Sequence, residues 1–179
     1  MLIYPENEWN IYDSDGTMFP YYTHPSLVWI KENIAKNVSV LEIGGGNSTV
    51  WWRKNADSVY TIETDFDCAK KLDCFHCSTH EIVNSINDLK KKFDVVIVDS
   101  EGDRECYIVH AFNSCDKYFI VDNWQQSEVM IYSQEIVNFL FENSKDLFIF
   151  KQPNHKDWKT AIFFKKYKNE RSTIRHSSR

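Results

Sequence analysis

Three acids and one run of glycines carry the groups best suited to chemistry. Glu63, Asp99 and Asp122 each close a short run of apolar, β-branched or aromatic residues: S-V-Y-T-I-E, F-D-V-V-I-V-D and K-Y-F-I-V-D. A further apolar run, Val38–Ile43, breaks into Gly44, Gly45 and Gly46, and then into Asn47, Ser48 and Thr49. Glycine lets a backbone turn sharply and approach a ligand closely. Ser and Thr suit the start of a helix, whose free N–H groups favour anionic or polar ligand atoms. Glu63 lies 19 positions after Gly44. An acid about 20 residues beyond such a turn can accept both ribose hydroxyls of a nucleoside. The plainer reading of Glu63 is an acid that merely ends a strand.

The elements that must position these groups alternate in type. Pro25 suits the first turn of a helix, with Leu27, Ile30 and Ile34 at helical spacing through about Asn37 and with Val28 and Trp29 widening the apolar face. Strands are expected at Val38–Ile43, Ser58–Glu63, Phe75–Thr79, Phe93–Asp99, Lys117–Asp122, Leu147–Lys151 and Thr160–Lys166. Helices are expected after the glycines around Val50–Trp52, at Phe66–Leu72, around Ile82–Leu89, at Arg104–Cys115 and at Glu128–Asn143. In the last of these, Val129 or Tyr132 would share a face with Ile136, Phe139 and Leu140. Strands alternating with helices imply a mainly parallel sheet covered on both faces. The last two strands, joined by the turn-like Gln152–Asp157, imply an antiparallel hairpin at one edge. In an open sheet of this kind ligands bind outside the carboxyl ends of the strands, so the three acids and the glycine turn share one rim.

The chain has 179 residues, enough for a core, and no repeat or linker divides it. One domain over 1–179 is expected, with 1–23 as an N-terminal segment or lid and 168–179 as a flexible tail. Asp13-Ser14-Asp15-Gly16 is the clearest break in that first segment. The basic residues Lys165, Lys166, Lys168, Arg171, Arg175 and Arg179 read mainly as a frayed, solvated end. A net charge of −5 gives no general reason to expect a nucleic-acid partner. No apolar run is long enough to span a bilayer, and the N-terminus lacks a signal-peptide pattern, so the expected location is cytoplasmic. Five cysteines cannot all pair internally, which fits reduced thiols.

Taken together, L-E-I-G-G-G-N-S-T, V-Y-T-I-E, F-D-V-V-I-V-D-S-E, Y-F-I-V-D-N-W and T-A-I-F-F-K-K resemble, in order, the strands of the class I S-adenosylmethionine-dependent methyltransferases. The resemblance covers roughly Pro25 to Lys166. It implies a Rossmann-like three-layer α/β sandwich, a seven-stranded, mainly parallel sheet with an antiparallel last strand. It implies S-adenosylmethionine as cofactor, bound by Glu42, Gly44, Gly45, Gly46, Asn47, Ser48, Thr49, Glu63 and Asp99, with adenine near Ser78–Glu81. It also implies a methyl acceptor, for which Asp99 and Asp122 are the catalytic candidates and His24 a further one. An NAD-binding Rossmann domain fits less well, because Thr49 stands where the full fingerprint needs a third glycine.

V-D-S-E and V-D-N-W are also similar to the catechol-type O-methyltransferases, whose pattern would make Asp99, Asp122 and Asn123 ligands of a divalent metal. That group has a lysine where this chain has Gly102. The stretch Glu101-Gly102-Asp103-Arg104 instead resembles small methyltransferases that give no metal precedent, so strand-end acids without a metal are expected. Cys74, His76 and Cys77, with Cys68 and His80, superficially match zinc ligands. They fall on an expected strand, whose side chains alternate between faces, which favours ordinary thiols. Tyr21, Tyr22 and His24 are candidates to roof the site, with ordinary packing as the alternative. Trp51 and Trp52 are expected to pack on the sheet. A motif for amino-methylating nucleic-acid enzymes is absent after Asp99, as is a ribose methyltransferase lysine set. The expected acceptor is therefore a small molecule, methylated on oxygen, with no membrane partner. The competing class is a cofactor-binding protein of the same fold without catalysis.

Overall fold

A computed structural model describes residues 16, 18–34, 36–125 and 130–166. Strands β1 (Ser39–Ile43), β2 (Ser58–Glu63), β3 (Phe75–His76), β4 (Phe93–Val98), β5 (Cys115–Asp122), β6 (Ser144–Lys151) and β7 (Lys159–Lys165) form one sheet in the order β3-β2-β1-β4-β5-β7-β6. The first five run parallel, and β7 lies antiparallel between β5 and β6. Helices α1 (His24–Asn33), α2 (Asn47–Asn55), α3 (Phe66–Leu72), α4 (Ile82–Asp88), α5 (Glu105–Asn113) and α6 (Gln134–Glu142) fill the connections. The expected three-layer architecture with its antiparallel last strand is present.

Strands covered on both faces must be apolar on both, and β4 is apolar at five of its six positions. Its alternate residues feed two cores. Val96 and Val98 face Tyr107, Ile108 and Phe112 of α5, whereas Val95 and Ile97 face Leu27, Ile30, Trp51 and Trp52. Trp51 and Trp52 are buried against the sheet, edge to face at 4.8 Å. Val28 departs from expectation and is exposed. Trp29 instead covers the hairpin, edge-on to Tyr118, Phe148 and Phe164.

Several boundaries differ from expectation. The third strand keeps only Phe75 and His76, because Ser78 starts a capping box with Glu81 and a 3-10 turn follows. Residues 126–129, including Val129, lie outside the described residues. The last helix begins at Gln134, capped by the Ser133 hydroxyl, so Tyr132 precedes it and stacks on Trp124 at 5.1 Å. Lys165 belongs to β7 rather than to a frayed end. Its ammonium donates to the Phe112 carbonyl at 2.9 Å and sits 3.4 Å over the Phe112 ring, and desolvation brings its pKa down to about 8. Residues 1–15 and 167–179 fall outside the described residues, and with them most of the expected lid, the Asp13–Asp15 break and the remaining basic tail. No helix among the described residues is long and apolar enough to cross a membrane.

Candidate active site

The turn after β1 is fixed by what its glycines can and cannot accommodate. Gly44 has φ +94°, a region L residues avoid, and donates its N–H to the Ile62 carbonyl at 2.9 Å. A Cβ there would lie 2.4 Å from the Ser100 nitrogen and 2.5 Å from the Asp99 carbonyl. The β1 turn can thus lie against the end of β4 only if residue 44 has no side chain. Gly46 is extended, and a Cβ there would meet nothing within 4 Å.

Glu42, Thr49 and Thr61 hold this turn from below. Glu42 shares the face of Val40 and is fully buried. Its Oε2 accepts the Thr49 hydroxyl at 2.6 Å and the Thr61 hydroxyl at 2.9 Å, and Thr49 Oγ1 accepts the Gly46 N–H at 3.0 Å. Among the described residues, Glu42 Oε1 has no hydrogen-bond partner. Burial pushes its pKa up, against the hydroxyl hydrogen bonds that favour the anion. Glu42 and Thr49 lie beneath the turn, whereas Gly44, Gly45, Gly46, Asn47 and Ser48 line a cavity of about 380 Å³ above it.

Glu63 forms the far wall of that cavity. Its Oε2 accepts the Gly45 N–H at 2.5 Å, and its Oε1 accepts the Thr64 and Asp65 N–H groups at 2.6 and 2.8 Å. A carboxylate has about four lone-pair sites, so Oε2 keeps one for a hydroxyl donor. The acid is therefore oriented by backbone before any ligand arrives. Cys68 lines the same cavity and donates weakly to the Gly45 carbonyl at 3.8 Å.

A second cavity of about 570 Å³ shares Tyr21, Asp99, Ser100 and Glu101 with the first, and extends to Asp122, Asn123, Met130, His155 and Trp158. Pairing of Asp122 with Thr160 in the β5–β7 ladder sets this end. Asp122 Oδ1 accepts the Thr160 hydroxyl at 2.5 Å and Oδ2 accepts the Trp158 indole N–H at 3.1 Å. Thr160 Oγ1 also accepts the Thr23 N–H at 2.9 Å, and Gln152 accepts the His24 N–H at 2.7 Å. These bonds hang Tyr21 over the junction of the two cavities.

Arg104 ties the ends of β4 and β5 together from beneath. Its Nε donates to the Ser100 carbonyl and its Nη1 to the Asp122 carbonyl, both at 2.6 Å. Its Nη2 lies 3.5 Å from Asp99 Oδ1. Asp99 keeps 20% of its side chain exposed. Burial and the nearby Asp122 nonetheless raise its pKa well above the carboxylate range, with Arg104 opposing. Burial likewise pushes Asp122 up to about 7, against the donors from Thr160 and Trp158. The neighbouring Asp122 thus adds to burial in disfavouring the Asp99 anion.

Of the candidates for a roof, only Tyr21 lines the cavities. Tyr22 is fully buried, with its hydroxyl 3.4 Å from the Trp52 indole nitrogen, and burial beside Glu42 and Asp99 raises its pKa. His24 lines neither cavity. Asp99, Asp122 and Asn123 do line one cavity. Among the described residues, no three His, Cys, Asp or Glu side chains form a metal-holding group, the cysteines near His76 included. His155, Trp158 and Thr160 were not singled out from sequence. The signal was available: an antiparallel last strand must start at the rim where β5 ends, which places the preceding turn there too.

No protein-family model and no curated protein matches the sequence. Solved structures do match in fold. The O-methyltransferase TomG from Streptomyces achromogenes, involved in tomaymycin synthesis and solved in complex with SAM, is 17% identical, with 78% of this chain and 77% of that one covered and a TM-score of 0.56. Magnesium protoporphyrin IX methyltransferase from Synechocystis, with bound SAM, is 12% identical over 80% of this chain and 77% of that one, with a TM-score of 0.55. An rRNA methylase from Streptococcus thermophilus is also 12% identical, over 80% and 95%, with a TM-score of 0.55. At these identities the likeness establishes the fold, that of the class I methyltransferases.

Proposed function

We propose that this chain is an S-adenosylmethionine-dependent methyltransferase, one domain that methylates an oxygen of a small molecule. The observation that supports it best is the pair of cavities meeting at Asp99, Ser100, Glu101 and Tyr21. One has the backbone turn and oriented acid that a nucleoside needs, and the other has room for an acceptor. The same fold serves neighbours with very different acceptors, so the acceptor class rests on the second cavity alone.

The residues fit the cofactor. Glu63 would take a ribose hydroxyl on its free lone pair. The Gly44–Gly46 backbone and the first turn of α2, from Asn47 and Ser48, would face its polar groups. Glu42 and Thr49 serve by holding that turn. The bound cofactor would supply an electrophilic methyl group on a sulfonium centre. Asp99, on the shared wall, would take the proton of the acceptor's hydroxyl. Tyr21 would close the junction and exclude water.

We assign no metal to Asp99, Asp122 and Asn123. Both Asp122 oxygens already accept side-chain donors, and Asp99 faces the Arg104 guanidinium. Turnover is therefore expected to survive a chelator.

The test is a thermal shift with S-adenosylmethionine, S-adenosylhomocysteine and NAD, followed by an assay for S-adenosylhomocysteine release. A ligand at about 100 times its Kd stabilises a protein by about 2.7 kcal/mol. A shift with NAD and none with either S-adenosyl compound would overturn the reading. Binding without turnover across broad acceptor panels would favour a non-catalytic binding protein.

A further inference from the structure

Among the described residues, the larger cavity sets three carboxylates, Asp99, Glu101 and Asp122, against one guanidinium, that of Arg104. That guanidinium faces the protein. It donates to the carbonyls of Ser100, Asp122 and, at 3.4 Å, Val98, its remaining nitrogen faces Asp99, and its side chain is 3% exposed. Among the described residues, an entering carboxylate or phosphate would thus find no available guanidinium donor there.

The Nδ1 of His155 is engaged by the Trp158 backbone N–H at 3.1 Å. Tyr21, Met130 and Trp158 add aromatic and soft surface to the wall, beside the uncharged Ser100, Gly102 and Asn123. The indole N–H of Trp158 is held by Asp122, which fixes the ring as a wall. Aromatic faces beside carboxylates attract cations and repel anions.

We propose, resting on the methyltransferase reading above, that the acceptor carries an ammonium group in addition to the hydroxyl that is methylated, and that the cavity rejects carboxylated and phosphorylated acceptors. Glu101 is the exposed carboxylate of the three and lies on the wall shared with the cofactor cavity. It is the group best placed to meet an ammonium without breaking an internal bond. A cation bound there also favours the ionised, proton-accepting form of Asp99. Recognition of the acceptor and activation of its hydroxyl would then be linked.

The test is calorimetric titration of the full chain, first with S-adenosylhomocysteine and then, with that ligand saturating, with three phenols. These are tyramine, 4-ethylphenol and 4-hydroxyphenylacetate, which are cationic, neutral and anionic. Tyramine is expected to bind at least about tenfold more tightly than 4-hydroxyphenylacetate, with 4-ethylphenol between them. Glu101→Lys is expected to abolish or invert that order. Equal or tighter binding of the carboxylate, or no binding of tyramine, would overturn the proposal. The S-adenosylhomocysteine step separates the two claims. If it fails while tyramine keeps its preference, the cofactor reading falls and the charge selectivity stands. If it succeeds and the phenols show no charge order, only the ammonium proposal falls.

Discussion

The Glu63 carboxylate and the Gly45 amide meet at 2.5 Å, joining the end of β2 to the turn after β1. The bond makes the acid part of the cavity wall and aims its free lone pair inward. Glu63→Gln must turn an amide NH₂ toward either Gly45 or the Thr64 and Asp65 N–H groups, so one donor always faces another. Hydrogen bonds to charged groups contribute about 1.5–3 kcal/mol, so S-adenosylhomocysteine affinity should fall roughly 10- to 100-fold. Calorimetry of the variant checks this, and unchanged affinity would remove the ribose role.

Gly44 and Gly46 should respond oppositely to alanine. At Gly44 the new Cβ meets backbone at 2.4 Å and φ is +94°, so Gly44→Ala must move the turn off the end of β4. At Gly46 the site is open and the backbone extended. Gly44→Ala should cost several kcal/mol and abolish cofactor binding, while Gly46→Ala should stay within about 1 kcal/mol in stability. Denaturant unfolding of both variants would decide it, and a stable, cofactor-binding Gly44→Ala protein would contradict this account of the turn.

The Asp99–Asp122 pair predicts a particular pH dependence. Both carboxyl groups are raised in the folded state, Asp122 to about 7 from an ordinary value near 4. The folded protein therefore binds more protons than the unfolded chain between those values. The pair's contribution to stability is full below pH ~4 and declines as pH rises toward about 7, by an amount on the order of a few kcal/mol. Activity should run the other way and rise toward neutrality as the pair ionises. Trp158→Phe deletes a donor to the Asp122 anion and should move that limb upward by about one pH unit. A limb that stays put in this variant would show that the pair does not control the rate.

Arg104→Lys is expected to loosen the rim. A lysine cannot reproduce donors to Ser100, Val98 and Asp122 carbonyls at once. The loss should be about 3 kcal/mol or more, a fall in Tm of roughly 6–12 °C for a chain of this size. A scanning-calorimetry midpoint within 2 °C of the parent, a margin set by roughly 1 kcal/mol, would count against the role of Arg104 as a clasp.

The half of the site proposed for the cofactor was legible in sequence because its parts are local. Gly44 follows its strand directly, Glu63 ends the next one, and parallel pairing of β1 with β2 brings them to one rim. The half proposed for the acceptor was less legible because its parts come from distant segments. Asp122, Thr160 and Thr23 form one chain of hydrogen bonds across 137 positions. Trp158 falls between the turn-like Gln152–Asp157 and the strand expected from Thr160, and only the β5–β7 register puts it on Asp122. Tyr21 and Tyr22 are adjacent and alike in type, yet one lines both cavities and the other is fully buried. Nothing in their local sequence separates them.

The sequence by itself determined the alternation of elements, the apolar central strands and the placing of Gly44, Glu63, Asp99 and Asp122 on one edge. Periodicity and strand direction are properties of neighbouring residues, and these suffice for that. Tertiary structure alone decided that Arg104 spends its charge on backbone carbonyls, that Glu42 lies beneath the turn and that Trp158 walls the second cavity. Those outcomes depend on which groups lose water together when the antiparallel hairpin closes on β5, and burial of that kind exists only in the assembled fold.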